Sequence, residues 1–358
     1  MTKCALIMAG GTGGHIFPGL ALAEALRGKG WRVCWLGGAG APGRPSMESR
    51  LVPARGFDFE VIELEGVRGK ALFTLLLLPL RLLRAFWQSL QVLRRIRPDV
   101  LVGLGGYIAF PGGMMSVLVG KPLVLHEQNA VAGTVNRVLA HIADRIFTAF
   151  PDVLKKGQWV GNPLRTAFLS QASPQERFAG RGGPLKLLVL GGSQGAQALN
   201  QALPQALALI DALLRPSVIH QCGAERQEQT AALYRDAGVQ AEVVPFIEDT
   251  ASALAQADLV LCRAGASTVT EIAAVGAAAV FVPLPTAIDD HQNANARHLV
   301  NGGGAWLLPQ ADVTPQRLAD LLRSLDRTQL QERARAAHQL AKTGATEVIL
   351  AACEELTR

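Results

Sequence analysis

The sequence predicts an α/β protein made of two doubly wound domains, each a parallel sheet covered by helices. Its 358 residues exceed the usual size of a single hydrophobic core, so two domains are expected. Short apolar runs alternate with helical patterns, which is typical of parallel strands joined by crossover helices. The two halves also begin alike, because KCALIMAGG and LKLLVLGG each lead an apolar run into paired glycines. We therefore expect two domains of the same plan.

The apolar runs mark the strands. In the first half they predict strands at residues 4–8, 32–37, 59–63, 99–103, 122–125 and 145–149. In the second half they predict strands at residues 185–190, 217–220, 241–244, 257–262 and 278–283. The pattern breaks between Val160 and Pro184, in GNPLR and the Gly- and Pro-rich AGRGGP. We predict an N-terminal domain over 1–163, a C-terminal domain over 164–340 and a last segment over 341–358. Since ligands of such sheets lie beyond the carboxyl ends of the strands, the expected site is a cleft between two facing domains.

Composition and charge narrow the classes of function. Apolar residues make up 49% and charged residues 18%, which is typical of a packed globular protein. The five cysteines are scattered without a C-x-x-C pair, which argues against disulfides and a zinc knuckle and fits a reducing cytoplasm. The N-terminus has no apolar segment with a cleavage site, so a signal peptide is not expected. The net charge of +6 favours an anionic partner: nucleic acid, a membrane or a phosphorylated substrate.

Residues 68–87 favour the membrane among these partners. From Gly66 to Arg97 there is no acidic residue, and the basic residues are Arg68, Lys70, Arg81, Arg84, Arg94, Arg95 and Arg97. The apolar part is about ten residues long, whereas a helix that spans a bilayer needs roughly 20. Its leucines, with Phe86 and Trp87, predict a segment that lies on an anionic membrane surface; a buried core helix is the alternative. Nucleic acid is not expected, because aromatic and basic residues are not interleaved.

The first glycine-rich loop, GGTGGH at residues 10–15, follows the first predicted strand. Its glycines allow a ligand to approach the backbone, and a helix start behind the loop would present N–H groups to an anion. We expect Pro18 at the first helical position, with one helix face formed by Leu20, Leu22 and Leu26. A plain tight turn is the alternative for this loop. The dinucleotide pattern G-x-G-x-x-G does not fit it.

Two loops in the second half indicate a nucleotide. GGSQGAQALN, residues 191–200, and RAGASTVTEIAAVG, residues 263–276, place small residues where a helix is expected to start. Ser193 can add a side-chain donor to the first of them. Thr268 and Glu271 have the spacing of a capping box, and the alternative is that Glu271 accepts hydrogen bonds from a ribose diol. Several helix starts that favour anions predict a nucleoside diphosphate in this half.

Polar residues follow two further strands. VLHEQNA ends in His126, Glu127, Gln128 and Asn129, and it lacks the second histidine of the zinc motif H-E-x-x-H. In IDDHQNANA, Asp290 is expected to cap a helix, and the following residues to contact a polyhydroxylated ligand: His291, Gln292 and Asn293. No D-x-D pair stands at a clear strand end. We therefore expect no metal and no cofactor, with helix ends neutralising a diphosphate.

Taken together, GGTGGHIFPGLALA, GGY, HEQN, GNPLR, GGSQGA, RAGASTVTEIAA and DHQNANA resemble the MurG family, in the family's order along the chain. Members are bacterial N-acetylglucosaminyltransferases with a GT-B fold that make lipid II. The resemblance implies transfer of N-acetylglucosamine (GlcNAc) from UDP-GlcNAc to the muramyl 4-hydroxyl of lipid I, with inversion. It also implies a peripheral protein on the cytoplasmic face of the bacterial inner membrane, with the donor mainly in the C-terminal half and lipid I in the N-terminal half.

The resemblance further implies which residues contact the donor. Glu271 would hold the ribose, Ile247 the uracil through its backbone, and Ser193 a phosphate. The full implied set is Thr12, Gly13, Gly14, Asn129, Arg165, Ser193, Ile247, Ala266, Ser267, Thr268, Val269, Thr270, Glu271 and Gln292. Inversion in one displacement needs a base near the acceptor hydroxyl, and His15 is the first candidate because an ordinary histidine titrates near pH 6.5. Glu127 is the second candidate.

The chain departs from the family pattern in three places. Ala109 and Phe110 replace a small hydroxyl residue and glycine after GGY, the segment 38–47 is longer than usual, and PTAIDDH leaves the match of Gln292 open by one position. The family also implies that the last helix crosses back to the first domain. The rival interpretations are another lipid-acceptor UDP-sugar transferase of this fold and a non-catalytic nucleotide-sugar binding module. His15, Glu127 and Glu271 argue against the module, because a binder needs no base.

Overall fold

In a computed structural model the chain divides into two compact units, Met1–Arg165 with Lys342–Arg358, and Thr166–Ala341. The structure describes residues 2–41, 44–64, 77–192 and 195–358. Each unit has a parallel sheet with helices, so the predicted α/β class with two doubly wound domains is confirmed. The chain leaves the first unit after GNPLR, whereas AGRGGP belongs to the second unit, where Arg181 binds the buried carboxylate of Asp258 at 2.7 Å.

The first unit contains nine strands and five helices in its described N-terminal part. The strands are β1 (Cys4–Met8), β2 (Arg32–Gly38), β3 (Gly40–Ala41), β4 (Arg44–Pro45), β5 (Asp58–Ile62), β6 (Val100–Gly103), β7 (Leu123–Glu127), β8 (Arg145–Thr148) and β9 (Gln158–Trp159). The helices are α1 (Gly13–Gly28), α2 (Met47–Ala54), α3 (Leu78–Ile96), α4 (Ala109–Leu118) and α5 (Thr134–Leu139). The main sheet has the order β5-β2-β1-β6-β7-β8-β9.

The second unit repeats this plan. Its strands are β10 (Lys186–Leu190), β11 (Ser217–Gln221), β12 (Glu242–Val244), β13 (Leu259–Cys262), β14 (Ala279–Phe281) and β15 (Ala305–Leu307), in the order β12-β11-β10-β13-β14-β15. Its helices are α6 (Thr166–Leu169), α7 (Pro174–Phe178), α8 (Gln197–Ala208), α9 (Gln227–Asp236), α10 (Thr250–Gln256), α11 (Ala266–Val275), α12 (His291–Asn301), α13 (Pro315–Ser324) and α14 (Arg327–Gln339), with short 3-10 turns at Ile288–Asp290 and Gln310–Asp312. The last helix, α15 (Ala345–Leu356), belongs to the first unit.

The strand order of each sheet reverses at one place. In the first unit the chain winds outward from β1 to one edge and then from β6 to the other, and in the second unit it does so from β10 and from β13. A crevice opens at such a reversal, outside the carboxyl ends of the two strands, and it is where doubly wound sheets bind ligands. The GGTGGH and GGY motifs flank the first crevice, and the GGSQGA and RAGAST motifs flank the second.

Every strand predicted from the apolar runs is present, with ends displaced by at most two residues. The predictions for α1 were partly wrong. The helix starts at Gly13, so Pro18 lies inside it and not at its first position. Leu20, Leu22 and Leu26 are all buried in one apolar cluster, but Leu20 and Leu22 lie about 200° apart around the helix axis, so the prediction that the three share one face was wrong. α15 packs on α1 and adds Ala345, Ile349 and Cys353 to the same apolar cluster, and all five cysteines of the chain are buried as thiols.

Candidate active site

The loops that follow β1 and β6 meet at the crevice of the first unit. Gly106 has a φ of +76°, and a Cβ added to it would lie 2.6 Å from the carbonyl oxygen of Gly10. Only glycine fits this position, because it removes both the steric overlap and the cost of a positive φ. The GGY motif therefore lets the second loop lie directly on the first, which fixes the position of the GGTGGH backbone.

His15 stands in the first turn of α1, close to this contact. Its ring is half-buried, and its Nδ1 lies 3.1 Å from the hydroxyl oxygen of Thr12. A Cβ added to Gly105, which has a φ of +87°, would lie 3.2 Å from the Nε2 of His15. The imidazole is thus held at one edge by Thr12 and lies against the GGY loop at the other. Gly13 and Gly14 are the first two residues of α1, so their backbone N–H groups lie at the N-terminus of the helix, the end that favours anions.

Glu127 is a buried anchor of its own loop. Its Oε1 accepts a hydrogen bond from the backbone N–H of Asn129 at 2.9 Å. Its Oε2 accepts from the backbone N–H of Gly133 at 3.1 Å and from the side-chain amide of Asn136 at 2.8 Å. Both carboxylate oxygens are therefore used to shape the segment after β7, and the side chain is 2% exposed. This arrangement favours a structural role for Glu127 over the role of base.

His126 precedes Glu127 and is fully buried. Its Nε2 donates to the carbonyl oxygen of Gly161 at 2.8 Å, and its Nδ1 accepts from the side-chain amide of Gln128 at 2.9 Å. Burial lowers the pKa of His126 to about 4, so the ring is neutral at physiological pH. The HEQN motif therefore joins β7 to the segment through which the chain leaves the first unit, and only Asn129 of its four residues is placed where a ligand can reach it.

Glu48 is a residue that the sequence analysis did not single out. It lies at the start of α2 and is completely buried. Its carboxylate accepts from the backbone N–H of Gly11 at 3.3 Å and from that of Gly38 at 3.4 Å, so it joins the loop after β1 to the end of β2. In the sequence it resembles an ordinary acidic residue in the first turn of a helix capped by Ser46. Only its burial reveals that it braces the first glycine loop.

The start of α11 forms the corresponding site in the second unit. Gly265 is the N-cap residue and makes no side-chain cap, so the predicted capping box of Thr268 and Glu271 is wrong. The backbone N–H of Val269 already bonds to the carbonyl oxygen of Gly265 at 2.9 Å. The N–H groups of the three preceding residues, Ala266, Ser267 and Thr268, are the ones at the helix end that can bind an anion.

The side chains of α11 differ in what they can do. Val269 is a core residue, and the hydroxyl of Thr270 bonds within the helix to the carbonyl oxygens of Ala266 and Ser267, both at 3.0 Å. The hydroxyl oxygen of Ser267 is buried and has no hydrogen-bond partner among the described residues. Glu271 is half-buried, and its charge adds to burial in raising the pKa of the Cys262 thiol. Ser267 and Glu271 are therefore the side chains of this helix best suited to a polar ligand.

The other residues of the second unit that were singled out as ligand contacts or caps differ in their surroundings. The Oε1 of Gln292 accepts from the backbone N–H groups of Leu284 at 2.9 Å and Ala264 at 3.3 Å, so this side chain ties two loops together. Asp290 is the N-cap residue of α12, but its carboxylate accepts from the side chain of Asn293 at 2.6 Å and not from the helix backbone. Ile247 is half-buried in the loop after β12. Ser193 lies outside the described residues.

Arg165 is the last residue of the first unit, and its guanidinium lies 5.9 Å from the centre of the Phe17 ring on α1. Within the described part of the chain, no group of three or more His, Cys, Asp or Glu side chains is arranged to hold a metal ion. In the first unit Thr12 and His15 lie together at the start of α1, and Asn129 follows β7 at the same carboxyl edge of the sheet. The second unit gathers residues 266–271 and Gln292 around its own crevice.

Comparison with known proteins identifies the family. The model of the glycosyltransferase family 28 N-terminal domain matches residues 5–148, and that of the C-terminal domain matches residues 186–350. A protein of Polaromonas naphthalenivorans strain CJ2 is 68% identical over 354 residues, which cover 99% of this chain and 98% of the relative. Its name is UDP-N-acetylglucosamine–N-acetylmuramyl-(pentapeptide) pyrophosphoryl-undecaprenol N-acetylglucosamine transferase. The chain belongs to the MurG family.

Two solved structures and a further sequence relative agree with this membership. The crystal structure of Acinetobacter baumannii MurG is 39% identical, covers 99% of each chain and superposes with a TM-score of 0.85. A Dechloromonas aromatica relative with the same transferase name is 54% identical over the full length of both chains. The Anabaena protein HepE in complex with UDP is only 15% identical, with a TM-score of 0.64, and shares the fold. The prediction of a GT-B glycosyltransferase of the MurG family is confirmed.

The departures from the MurG pattern have structural explanations. Ala109 is the buried first residue of α4, and Phe110 packs against Phe86 of α3 with ring centres 5.6 Å apart. Ala109 thus offers no hydroxyl, and the apolar packing between the two helices is made by Phe110, which stands where the family pattern has glycine. The longer segment 38–47 contains the short antiparallel pair of β3 and β4, with residues 42–43 outside the described part.

Proposed function

We propose that this chain transfers GlcNAc from UDP-GlcNAc to the 4-hydroxyl of N-acetylmuramic acid in lipid I, which forms lipid II for peptidoglycan synthesis. The observation that carries the proposal is the 68% identity, over nearly the whole of both chains, with a relative that bears the name of this transferase. Both crevices that the reaction needs are built from residues of the matched regions. The reaction releases UDP, so the second unit has to hold a nucleoside diphosphate.

In this proposal the start of α11 holds the diphosphate of the donor. The backbone N–H groups of residues 266–268 provide hydrogen bonds, and the helix end provides partial positive charge. Ser267 adds its hydroxyl, which has no partner among the described residues, and Glu271 accepts from the ribose hydroxyls. The backbone of Ile247 pairs with uracil, and Gln292 reaches the sugar through its amide nitrogen, since its oxygen is engaged by the protein.

The transfer itself is a single displacement at the anomeric carbon of GlcNAc. The acceptor 4-hydroxyl attacks that carbon, the bond to the UDP oxygen breaks, and the hydroxyl proton passes to the Nε2 of His15. Thr12 supports this role, because a hydrogen bond from Nδ1–H to its hydroxyl oxygen leaves the lone pair on Nε2. Asn129 and the N–H groups of Gly13 and Gly14 contact the reacting sugar and the phosphates beside it.

The proposal is tested with the purified chain, labelled UDP-GlcNAc and lipid I. Label is expected to appear in the lipid, with release of one UDP per transfer. A chelator is expected to leave the rate unchanged, because helix N-termini neutralise the diphosphate in place of a cation. Folded protein that binds UDP but never labels lipid I contradicts the proposed acceptor. A rate that collapses with chelator contradicts the proposed neutralisation.

We also propose that α3 holds the protein on the cytoplasmic face of the bacterial inner membrane. Leu80, Leu83 and Trp87 are 65%, 64% and 58% exposed, and their spacing places them on one stripe of the helix. Residues 68–76 of the predicted membrane segment lie outside the described residues. Of the two aromatic residues expected to face lipid, Phe86 instead packs on Phe110. None of the described helices is both long and apolar enough to cross a membrane.

The cationic flank of this stripe is smaller than the sequence indicated. Arg84 forms an ion pair with Glu63 at 2.7 Å, and Arg95 forms one with Glu60. Both acidic residues come before Gly66 in the sequence, and so before the segment from Gly66 to Arg97 that contains no acidic residue. Binding to anionic lipid therefore depends more on the apolar stripe than net charge alone predicts, although it remains sensitive to salt.

Replacing Leu80, Leu83 and Trp87 together by serine is expected to lower partition onto vesicles with anionic lipid at least about tenfold, since binding scales with the apolar area inserted. The fold should persist, because all three side chains are largely exposed. Co-sedimentation with vesicles measures the effect. The matched control replaces Leu213 and Leu214 of the second unit, 90% and 76% exposed, by serine. Equal partition of the two variants contradicts the proposed surface.

A further inference from the structure

Gln221 is a buried side chain that joins two loops of the second unit. It is the last residue of β11 and is 5% exposed. Its Oε1 accepts from the backbone N–H of Gly192 at 2.9 Å. Its Nε2 donates to the carbonyl oxygen of Gly192 at 3.1 Å and to that of Pro245 at 2.9 Å. The amide thus pairs with both backbone groups of one residue and with a second chain segment.

The MurG resemblance assigns these two loops to different parts of UDP, because it implies Ser193 of the first loop for a phosphate and Ile247 of the second for the uracil. Gly192, with a φ of +76°, lies in the glycine loop after β10, which faces the ligand crevice. Pro245 opens the loop after β12, which contains Ile247, the residue proposed to pair with uracil. These loops follow different strands, and β11 separates β10 from β12 in the sheet. Gln221 bridges them from that intervening strand.

The amide has little capacity left for a ligand. Both of its N–H groups are donated to backbone carbonyl oxygens, and its oxygen already accepts from Gly192. Glutamine is also the side chain that fits, because glutamate cannot donate to the two carbonyls and asparagine is one methylene shorter. Gln221 therefore acts through the loops and not by contact with the donor.

We propose that Gln221 is a positioning residue, which fixes the glycine loop and the uracil loop at the separation that a uridine diphosphate requires. This inference rests on the proposed donor site. When both loops are held in place, the base and the diphosphate bind as linked groups, and the second contact forms at a high effective concentration. Without the bridge, each loop retains its own contacts but loses the fixed spacing.

The test compares UDP with uridine on the full-length chain, using Gln221→Met. Calorimetric titration is expected to show UDP binding weakened about 10- to 100-fold, whereas uridine, which needs only one loop, changes by no more than about threefold. The KM for UDP-GlcNAc should rise in parallel while the KM for lipid I stays constant. The matched control is Gln227→Met, which removes one bond from an exposed glutamine to the carbonyl oxygen of Val243, at 3.0 Å in the wild type.

A second variant keeps the inference testable if Gln221→Met does not fold. Gln221→Glu has the same shape but sets a carboxylate against two carbonyl oxygens, which raises its pKa together with burial. Protonation restores one donor, so UDP affinity relative to wild type is expected to recover as the pH falls from about 8 to 6. A ratio that stays constant over this range, or equal losses for UDP and uridine, overturns the inference. Wild-type protein that binds no UDP instead refutes the proposed donor site.

Discussion

Replacing His15 with alanine is expected to lower kcat by about 10²- to 10⁴-fold, which is the usual contribution of a general base. The acceptor hydroxyl is a poor nucleophile while it keeps its proton, and the GGTGGH loop places only one titratable side chain in the first turn of α1. Binding of UDP should be unchanged, because the donor diphosphate is assigned to the second unit. The measurement is steady-state kinetics with lipid I, beside calorimetric titration with UDP.

The control for this variant is His141→Ala. His141 is exposed, and its described hydrogen bonds go to the nearby backbone oxygens of Arg137 and Val138, so its loss should change kcat by no more than about twofold. The acidic limb of the kcat profile against pH, which protonation of a catalytic base produces, should vanish in His15→Ala and persist in the control. A kcat of His15→Ala near that of wild type would exclude His15 as the base.

Gly106→Ala is expected to reduce activity about 10²-fold, because a displacement of the GGTGGH loop by about 1 Å moves His15 out of line with the acceptor. The added Cβ would lie 2.6 Å from the carbonyl oxygen of Gly10, so one of the two loops has to move. The positive φ of +76° adds about 1–2 kcal/mol of strain for alanine. The kcat measures the loss of activity caused by the displaced loop, and thermal unfolding measures the loss of stability caused by the strain.

Gly30→Ala provides the matched control for the backbone strain that a positive φ imposes on alanine. Gly30 has a φ of +80°, and an added Cβ would meet nothing within 4 Å. It should therefore lose about the same 1–2 kcal/mol from strain and keep its activity. The difference between the two variants isolates the steric contact between the loops. If both variants retain full activity, the contact of Gly106 with Gly10 does not position the catalytic loop.

The strands were predictable because both sheets are parallel and covered by helices, so each strand is a short continuous apolar run. β15 was missed, since its three residues follow a run of glycines and are too few to form such a pattern. The glycine motifs were predictable as ligand loops, because each follows an apolar run that ends at a carboxyl edge. The MurG motifs contain Thr12, His15, Ser267, Glu271 and Gln292, which lie in or beside the loops at the carboxyl edges of the two sheets.

The polar residues that brace the loops could not be predicted. Glu48 acts on a backbone N–H 37 positions away, and Gln221 acts on one 29 positions away. Neither stands in a pattern that a local window detects, because a buried polar side chain is recognised by its partners and not by its neighbours in sequence. The same limit explains the error at α11, where Thr268 and Glu271 have capping-box spacing but the N-cap residue is Gly265, three residues upstream of Thr268.

The assignment of α15 to the first unit has a consequence for synthesis of the chain. All residues of the second unit, Thr166–Ala341, precede α15, whereas the first unit lacks Ala345, Ile349 and Cys353 of its apolar cluster until α15 has been synthesised. Domains usually complete their folding on the ribosome in N-terminal to C-terminal order. Here the second unit is the first to have its whole sequence, and the face of α1 that packs on α15 stays uncovered until α15 has followed it from the ribosome.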